Sequence, residues 1–172
     1  MNGFLNPNEI LKKLKLKDDM TAADFGSGSG GWVIPLAKIL EEGKVYAIDI
    51  LEEPLSALRA RASLEKLSNV EIVQADIEKG AKLLFDESCN LVLMTNILFQ
   101  IDNKKAVLEE GKRVLKPGGR ILVIDWAKDN PLTKEIEKVS FEEIEKAARE
   151  LKLKVEKEFE AGLYHKGLIL VK

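Results

Sequence analysis

The sequence predicts an α/β fold: a doubly wound, mostly parallel sheet of seven strands with helices on both faces. Between Thr21 and Asp125, short apolar runs alternate with segments in which apolar residues recur at helical spacing. Such alternation is typical of β-helix-β units, which build a parallel sheet. Two more predicted strands, Lys154–Phe159 and Gly167–Val171, follow near the C-terminus and are joined by a turn that contains Gly162. A short connection of this kind favours an antiparallel C-terminal strand pair.

The first half of the chain predicts a short helix and then three strands separated by two helices. The short helix begins at Asn6-Pro7, because proline suits the first turn of a helix. Apolar stripes at helical spacing follow the first two strands, and the earlier stripe ends before Gly43. Each strand carries an acid at or just after its end: Asp24 in Thr21–Phe25, Asp49 after Val45–Ile48, and Asp76 after Val70–Val73.

The second half of the chain predicts two further parallel strands and the C-terminal pair. Lys116-Pro117-Gly118-Gly119 has the composition of a tight turn between a helix and a strand. Asn130-Pro131 lies in a longer irregular segment, and Ser140 with Glu143 forms a capping box that begins the last helix. The predicted elements are the strand Leu91–Met94, the helix Asn103–Leu115, the strand Arg120–Ile124, the helix from Phe141, and the strands Lys154–Phe159 and Gly167–Val171.

Length, charge and cysteine content limit the classes of protein. A chain of 172 residues, 45% hydrophobic and 33% charged, favours one globular domain. The net charge of −2 argues against wholesale electrostatic binding of nucleic acid. Cys89 is the single cysteine and there is one histidine, so an internal disulfide is excluded and we expect no metal site. No segment has the pattern of a secretory signal or a membrane span, so we expect a cytoplasmic location.

Polar residues end the apolar strands more often than packing requires. Any one of them is explained about as well by a turn or a helix cap, but the whole set favours a binding site. In an open parallel sheet, ligands bind at the carboxyl ends of the strands. The residues in question are Asp24, Asp49, Asp76, Asn96 and Asp125.

A glycine-rich loop directly follows the first predicted strand and leads into a helix. Gly26-x-Gly28-x-x-Gly31 fits the dinucleotide-binding fingerprint, with Asp49 at a plausible distance for a ribose carboxylate. Gly26-x-Gly28-x-Gly30, with Asp24 before it, fits a second template for a nucleotide-type binding loop. A carboxylate at Asp24 would repel a pyrophosphate and attract a cationic group, which favours the second template.

With these motifs in place, the chain resembles the class I S-adenosylmethionine-dependent methyltransferases, from about Leu16 to Val171. The final antiparallel strand pair is also similar to that family's Rossmann-like sheet. The segments that carry the resemblance are Asp24–Gly30, Tyr46–Asp49, Gln74–Ile77 and Leu115–Arg120.

The resemblance implies S-adenosyl-L-methionine as the cofactor and a role for each motif residue. Asp24 would lie near the cofactor's amino group, Asp49 would accept from both ribose hydroxyls, and Asp76 would accept from the adenine amino group. The glycine loop would contact the methionine part, and two isoleucines would cover the adenine faces. The cofactor residues implied in this way are Asp24, Gly26, Ser27, Gly28, Gly30, Asp49, Ile50, Asp76, Ile77 and Asn96.

No residue stands out as a catalytic base, which is needed only if the acceptor atom carries a proton. Many members of the family have a histidine after the fourth strand, where this chain has Phe99 and Gln100. The remaining catalytic candidates are Asn96, Asp125 and His165. We expect His165 on the rim of the site, although a lone histidine on a strand is more often structural.

The methyl acceptor is expected to be a small molecule, because the chain resembles the small ubiquinone/menaquinone-methyltransferase-like branch. It has Thr95-Asn96-Ile97-Leu98 where amino-group nucleic-acid methylases carry an Asn-Pro-Pro-Tyr type motif. We expect one domain, 1–172, with an N-terminal helix in 1–20, a cofactor-binding core in 21–125 and a substrate-side part in 126–172.

Three alternatives stay open, because the sequence provides little chain to cover the site. A second subunit of a homodimer would close the pocket, or the pocket would accept RNA or protein. A module that binds the cofactor without chemistry is the third. The basic residues that favour RNA if they lie together beside the site are Lys12, Lys13, Lys15, Lys17, Lys104, Lys105, Lys112, Arg113, Lys116 and Arg120.

Overall fold

The computed structural model describes residues 5–80, 84–127 and 139–172, in which helices and strands alternate as the sequence predicts. The strands are β1 (Thr21–Phe25), β2 (Lys44–Asp49), β3 (Val70–Gln74), β4 (Cys89–Thr95), β5 (Leu115–Trp126), β6 (Lys154–Glu160) and β7 (His165–Val171). The α-helices are α1 (Pro7–Leu11), α2 (Val33–Ile39), α3 (Glu52–Leu64), α4 (Lys104–Val114) and α5 (Phe141–Glu150). Short 3-10 helices cover Lys12–Leu14, Ile77–Lys79 and Leu98–Gln100.

The strands form one mixed sheet in the order β3-β2-β1-β4-β5-β7-β6. Strands β1 to β5 pair in parallel, and β7 pairs antiparallel with both β5 and β6. The predicted fold class is therefore confirmed, including the antiparallel C-terminal pair. No helix within the described residues is long and apolar enough to cross a bilayer.

Alternate residues along the strands pack against different helices on the two faces of the sheet. Ala22, Val45 and Leu93 share a buried cluster with apolar residues of α1, α2 and α3. Phe25 and Met94 belong to a second cluster, which contains the apolar side chains of α4 and α5. Because successive strand residues point to opposite faces, near-continuous apolar runs are required where helices cover both.

The segment Lys116–Gly119, predicted as a turn, lies inside β5, so that prediction is wrong. Leu115 pairs with Cys89 and Arg120 pairs with Leu91, which leaves the four intervening residues opposite Asn90 alone. The proline and glycines therefore form an irregular bulge of four residues within a paired strand, and Gly118 in it has a φ of 76°. Asn130-Pro131 lies outside the described residues.

The carboxyl ends of the central strands lie side by side. Phe25 of β1 pairs with Ile48 of β2 and with Met94 of β4, so the segments after these residues leave the sheet together. The order β2-β1-β4 makes β1 the point where consecutive crossovers change direction. A crevice forms at such a point, because the loops on its two sides turn away from each other.

Gly26 begins the glycine loop and offers a test of how tightly that crevice is packed. Its φ is 75°, and an added Cβ would overlap the side chain of Ile97. We expect Gly26→Ala to lower the free energy of unfolding by about 2 to 4 kcal/mol, from left-handed backbone strain and overpacking. Urea denaturation measures this change. Gly31→Ala is the control, because an added Cβ there meets no atom within 4 Å. Equal stability of the two variants would contradict the packing described.

Candidate functional site

A cavity of about 390 Å³ lies at the carboxyl ends of β1 to β4. Its volume is within the usual range for small-molecule sites, about 300 to 1,000 Å³. The wall contains apolar side chains, backbone of the glycine loop, and three carboxylates. The residues that form it are Gly26, Gly28, Asp49, Ile50, Leu51, Pro54, Ala75, Asp76, Ile77, Glu78, Asn96, Ile97, Gln100 and Ile101.

Asp49 connects the end of β2 to the glycine loop. Its Oδ2 accepts a hydrogen bond from the Gly28 N–H at 2.8 Å, and its Oδ1 accepts from the Leu51 N–H at 3.0 Å. The carbonyl of Ile48 also accepts from the N–H groups of Gly26 and Ser27, at 2.8 and 3.0 Å. The loop conformation is thus set by β2, and each Asp49 oxygen keeps a lone pair for a further donor.

Asp24 is buried beneath the loop, with 1% of its surface exposed, and it does not form part of the cavity wall. Neither of its carboxyl oxygens has a hydrogen-bond partner. Burial raises the pKa of Asp24 to about 8, and the negative charge of Asp49 adds to the increase. An unpartnered buried carboxyl is costly, so this position favours a cationic or donor group close by.

Two more buried acceptor atoms lie near the loop without partners, the Ser27 hydroxyl oxygen and Asn96 Oδ1. Ser27 is in the loop itself, and Asn96 directly follows β4, the neighbour of β1. Buried polar atoms are nearly always hydrogen-bonded in folded proteins. Unsatisfied acceptors in and around the glycine loop, of which Asn96 lines the cavity, therefore favour a ligand that brings donors.

Asp76, Ile77 and Ile50 form the other end of the cavity. Asp76 Oδ2 accepts from the Lys79 ammonium at 3.0 Å and its Oδ1 accepts from the Glu78 N–H at 3.0 Å. The Lys79 hydrogen bond is the main cause of a lowered pKa for Asp76, so the side chain is an ionised acceptor at neutral pH. Ile77 is buried and Ile50 is 57% exposed, which leaves an apolar surface beside that carboxylate.

The segment Asn96–Ile101 forms the wall opposite β2 and is the part that sequence reasoning described least well. Asn96 has a φ of 53°, and the Ile97 side chain packs against Gly26. Gln100 and Ile101 complete the wall, together with Leu51, Pro54, Ala75 and Glu78 from the facing elements. Asn96 and Gly26 were predicted as site residues, but the other wall residues named in this paragraph were not. The available signal was their position on the connections that follow the predicted strands, close in sequence to Asp49, Asp76 or Asn96.

Asp125 is fully buried at the end of β5 and does not line the cavity. Its Oδ2 accepts from the Leu98 N–H and its Oδ1 from the Trp126 N–H, both at 2.8 Å. Burial raises the pKa of Asp125 to about 6, although the backbone hydrogen bonds act in the opposite direction. Both oxygens are thus occupied by backbone donors.

His165 is buried, not on an open rim as predicted from the sequence. Its ring contacts Trp126, with centroids 4.0 Å apart, and its Nε2 atom has no hydrogen-bond partner. Burial lowers the pKa of His165, which favours the neutral ring. His165 does not line the cavity. Of the predicted cofactor residues, Asp24, Ser27 and Gly30 do not line it either. The ones that do are Gly26, Gly28, Asp49, Ile50, Asp76, Ile77 and Asn96.

Comparisons with known proteins agree with this geometry. A family described as a methyltransferase domain matches residues 16–163. A SAM-dependent methyltransferase from Aquifex aeolicus has a solved structure with a TM-score of 0.86 and 30% identity, covering 97% of this chain and 89% of that one. The ubiquinone/menaquinone biosynthesis C-methyltransferase UbiE of Escherichia coli is 33% identical over 125 residues, 70% of this chain and 49% of UbiE.

The arsenite methyltransferase of Halobacterium salinarum is 28% identical over 118 residues, 68% of this chain and 30% of that protein. The chain thus spans half or less of the length of these two curated relatives. The matched domain nevertheless covers most of the chain, including the glycine loop and every strand that contributes to the cavity. The chain belongs to the class I S-adenosylmethionine-dependent methyltransferases, a family whose cofactor is S-adenosylmethionine.

Proposed function

We propose that the chain transfers the methyl group of S-adenosylmethionine to a small-molecule acceptor. The observation that carries this proposal is the cavity between Asp49, Asp76 and the glycine loop, with unpartnered acceptors beside it. The names of the two curated relatives described above refer to ubiquinone/menaquinone biosynthesis and to arsenite, which supports a small-molecule acceptor.

The residues present fit the cofactor. S-adenosylmethionine has an amino group, two ribose hydroxyls and an adenine amino group, all hydrogen-bond donors, and it has no phosphate. Asp24 and Asn96 have buried oxygens without partners, and Asp49 has lone pairs left for hydroxyls. Asp76 would accept from the adenine amine, while Ile50 and Ile77 would cover its faces. Gly26, Ser27, Gly28 and Gly30 would surround the methionine part.

Catalysis of this kind depends mainly on positioning. The cofactor, when bound, would supply a methyl group activated for in-line displacement by its positively charged sulfur, which would leave as a neutral thioether as the acceptor bonds to the methyl carbon. The protein holds the acceptor at the right distance and keeps water out of the cavity. Asn96 is the residue best placed to orient an acceptor, because its side-chain oxygen is unpartnered at the end of β4. Among the described wall residues the titratable ones are Asp49, Asp76 and Glu78, all on the cofactor side.

The basic residues do not support RNA as the acceptor. Lys104 and Lys105 begin α4 beside the site, and Lys105 is paired with Glu150 at 2.6 Å. The others lie toward the opposite ends of the strands, before β1 or where α4 ends and β5 begins: Lys12, Lys13, Lys15, Lys17, Lys112, Arg113, Lys116 and Arg120. A basic surface split in this way gives weak electrostatic binding to nucleic acid at the site.

A transfer assay with radiolabelled S-adenosylmethionine in cell extract tests the proposal. Label in a small-molecule fraction supports it, and label only in RNA or protein would favour the macromolecular alternative. Binding without any transfer would favour a module that holds the cofactor without chemistry. Native mass spectrometry with and without the cofactor tests the alternative in which a second subunit closes the pocket. The cytoplasmic location and the division at residues 21 and 126 stay predictions.

Asp49→Ala should weaken cofactor binding by about a hundredfold or more, because two charge-assisted hydrogen bonds worth about 1.5 to 3 kcal/mol each are lost. The hydrogen bond to Gly28 is lost with them, so the loop also loses its attachment to β2. Isothermal calorimetry with S-adenosylmethionine measures the change. Glu53→Gln, an exposed acid on α3, is the control and should bind like the unmodified chain. Equal affinity of Asp49→Ala would contradict the ribose assignment.

Cofactor binding should release a proton from Asp24. At pH 6.5, below the pKa of about 8, most of the Asp24 carboxyl is protonated, and a cationic amino group beside it favours the ionised form. Calorimetry in buffers of different ionisation enthalpy should therefore report release of close to one proton per cofactor. Asp24→Asn should remove this release, and an unchanged release would contradict the assignment.

The raised pKa of Asp24 also predicts how the stability of the ligand-free protein depends on pH. Its folded-state pKa lies above the ordinary value of 3.8, so the folded state binds more protons than the unfolded state between about 4 and 8. The contribution of Asp24 to stability is thus present below pH 4 and is lost as the pH rises to about 8. Urea denaturation across this range should show that decline, and Asp24→Asn should reduce it. A decline of the same size in the variant would contradict this origin.

A further inference from the structure

The Asp125 side chain joins the end of β5 to a segment that is distant in sequence. Its two oxygens accept from the Leu98 and Trp126 N–H groups, both at 2.8 Å, and the side chain has no exposed surface. The four residues before it, Ile121–Ile124, are buried and apolar. A carboxyl at the end of such a run is unfavourable unless it is hydrogen-bonded, so its partners explain its position.

The segment that Asp125 holds forms one wall of the cofactor cavity. Asn96, Ile97, Gln100 and Ile101 all line the cavity, while Leu98 between them is buried and points away. The short 3-10 helix Leu98–Gln100 has no side-chain cap of its own at Ile97. Asp125 supplies that cap from another strand, because it accepts the N–H of the helix's first residue.

Residue 124 fixes the start of the same segment. The Asn96 N–H donates to the Ile124 carbonyl at 2.8 Å, two positions before the Leu98 N–H meets Asp125. Asn96 has a left-handed φ of 53°, a conformation that surrounding contacts must maintain. Two consecutive residues of β5 thus set the backbone that carries Asn96 and presses Ile97 against Gly26.

We propose that Asp125 is a positioning residue, which fixes the segment Asn96–Ile101 and through it the wall against which the cofactor binds. This inference rests on the proposed function, and it gives Asp125 a role other than that of the catalytic candidate considered in the sequence analysis. Asp125 does not line the cavity, and both of its carboxylate oxygens accept hydrogen bonds from backbone N–H groups. It therefore acts on the site through the backbone of Leu98, not by contact with a substrate.

The charged and titratable side chains next to Asp125 make contacts with other residues, so backbone N–H groups are its hydrogen-bond donors. Lys166 is its cross-strand neighbour on β7, but the Lys166 ammonium pairs with Glu158 of β6 at 2.8 Å. His165 lies opposite Trp126 and contacts that ring. Backbone groups of the segment, Ile97 to Phe99, and of Trp126 are the ones that stabilise the ionised form of Asp125. Protonation of Asp125 would weaken the attachment of Leu98.

The first test is an NMR titration of the unmodified, ligand-free chain from pH 4 to pH 8. The amide protons of Leu98 and Trp126 should shift with a common midpoint, because both donate to the same carboxyl group. In Asp125→Asn this shared transition should be absent, whereas the exposed control Asp19→Asn should keep it. Amide shifts of Leu98 and Trp126 that do not change with pH in the unmodified chain would overturn the proposal.

The second test is calorimetry with S-adenosylmethionine at pH 7.5. Asp125→Asn keeps the size of the side chain but replaces one acceptor with a donor that faces a backbone N–H, so we expect affinity to fall about tenfold. Asp19→Asn should leave affinity unchanged, and unchanged affinity in Asp125→Asn would overturn the proposal. If the unmodified chain does not bind the cofactor, the proposed function fails, while the titration still decides whether Asp125 holds Leu98.

Discussion

The hydrogen bond between the Gly28 N–H and the Asp49 carboxylate, 2.8 Å long, is the contact on which the site depends. It joins the loop after β1 to the end of β2, and the two N–H groups that donate to the Ile48 carbonyl reinforce it. A loop with so many glycines loses much conformational entropy on folding, and these bonds compensate for that loss. The backbone that a cofactor approaches is therefore shaped before any ligand binds.

Acidic residues with different surroundings give the site its electrostatic character. Asp49 and Asp76 accept hydrogen bonds and lie on the wall, Asp125 is fully used by backbone donors, and Asp24 is buried with none. Their environments separate their pKa values in opposite directions, lower for Asp76 and higher for Asp24 and Asp125. The same residue type thus serves as a surface acceptor, a structural cap and an unsatisfied group that favours a cation.

The sequence was sufficient to predict the fold and about half of the residues that line the cavity, because these depend on local patterns. Apolar runs that end in an acid identify parallel strands and the edge where they meet, as for Asp49 and Asp76. The bulge at Lys116–Gly119 could not be predicted, because its composition is that of a turn and only pairing with the distant β4 makes it part of a strand. The burial of His165 has a similar cause, since it follows from a ring on the neighbouring strand.

The role of Asp125 also depends on long-range contacts. Its partners include the backbone N–H of Leu98, and almost any residue type would provide the same donor, so the sequence does not identify it. Gln100 ends a single 3-10 turn and Ile101 follows it, and such a turn is too short to produce a recognisable spacing of apolar residues. Residues that act through tertiary contacts are therefore the ones that reading the chain misses.

The position of β1 between β2 and β4 has a thermodynamic consequence. Within the sheet, the half that contains β3 and β2 is joined to the half that contains β4 and β5 by the pairing of β1 with β4 alone. The cavity wall draws residues from both halves. A ligand in this cavity contacts both halves of the sheet, so its binding stabilises the folded state relative to the unfolded chain. Occupancy of the site and folding are then linked, so the folded protein becomes more stable as the concentration of free cofactor rises.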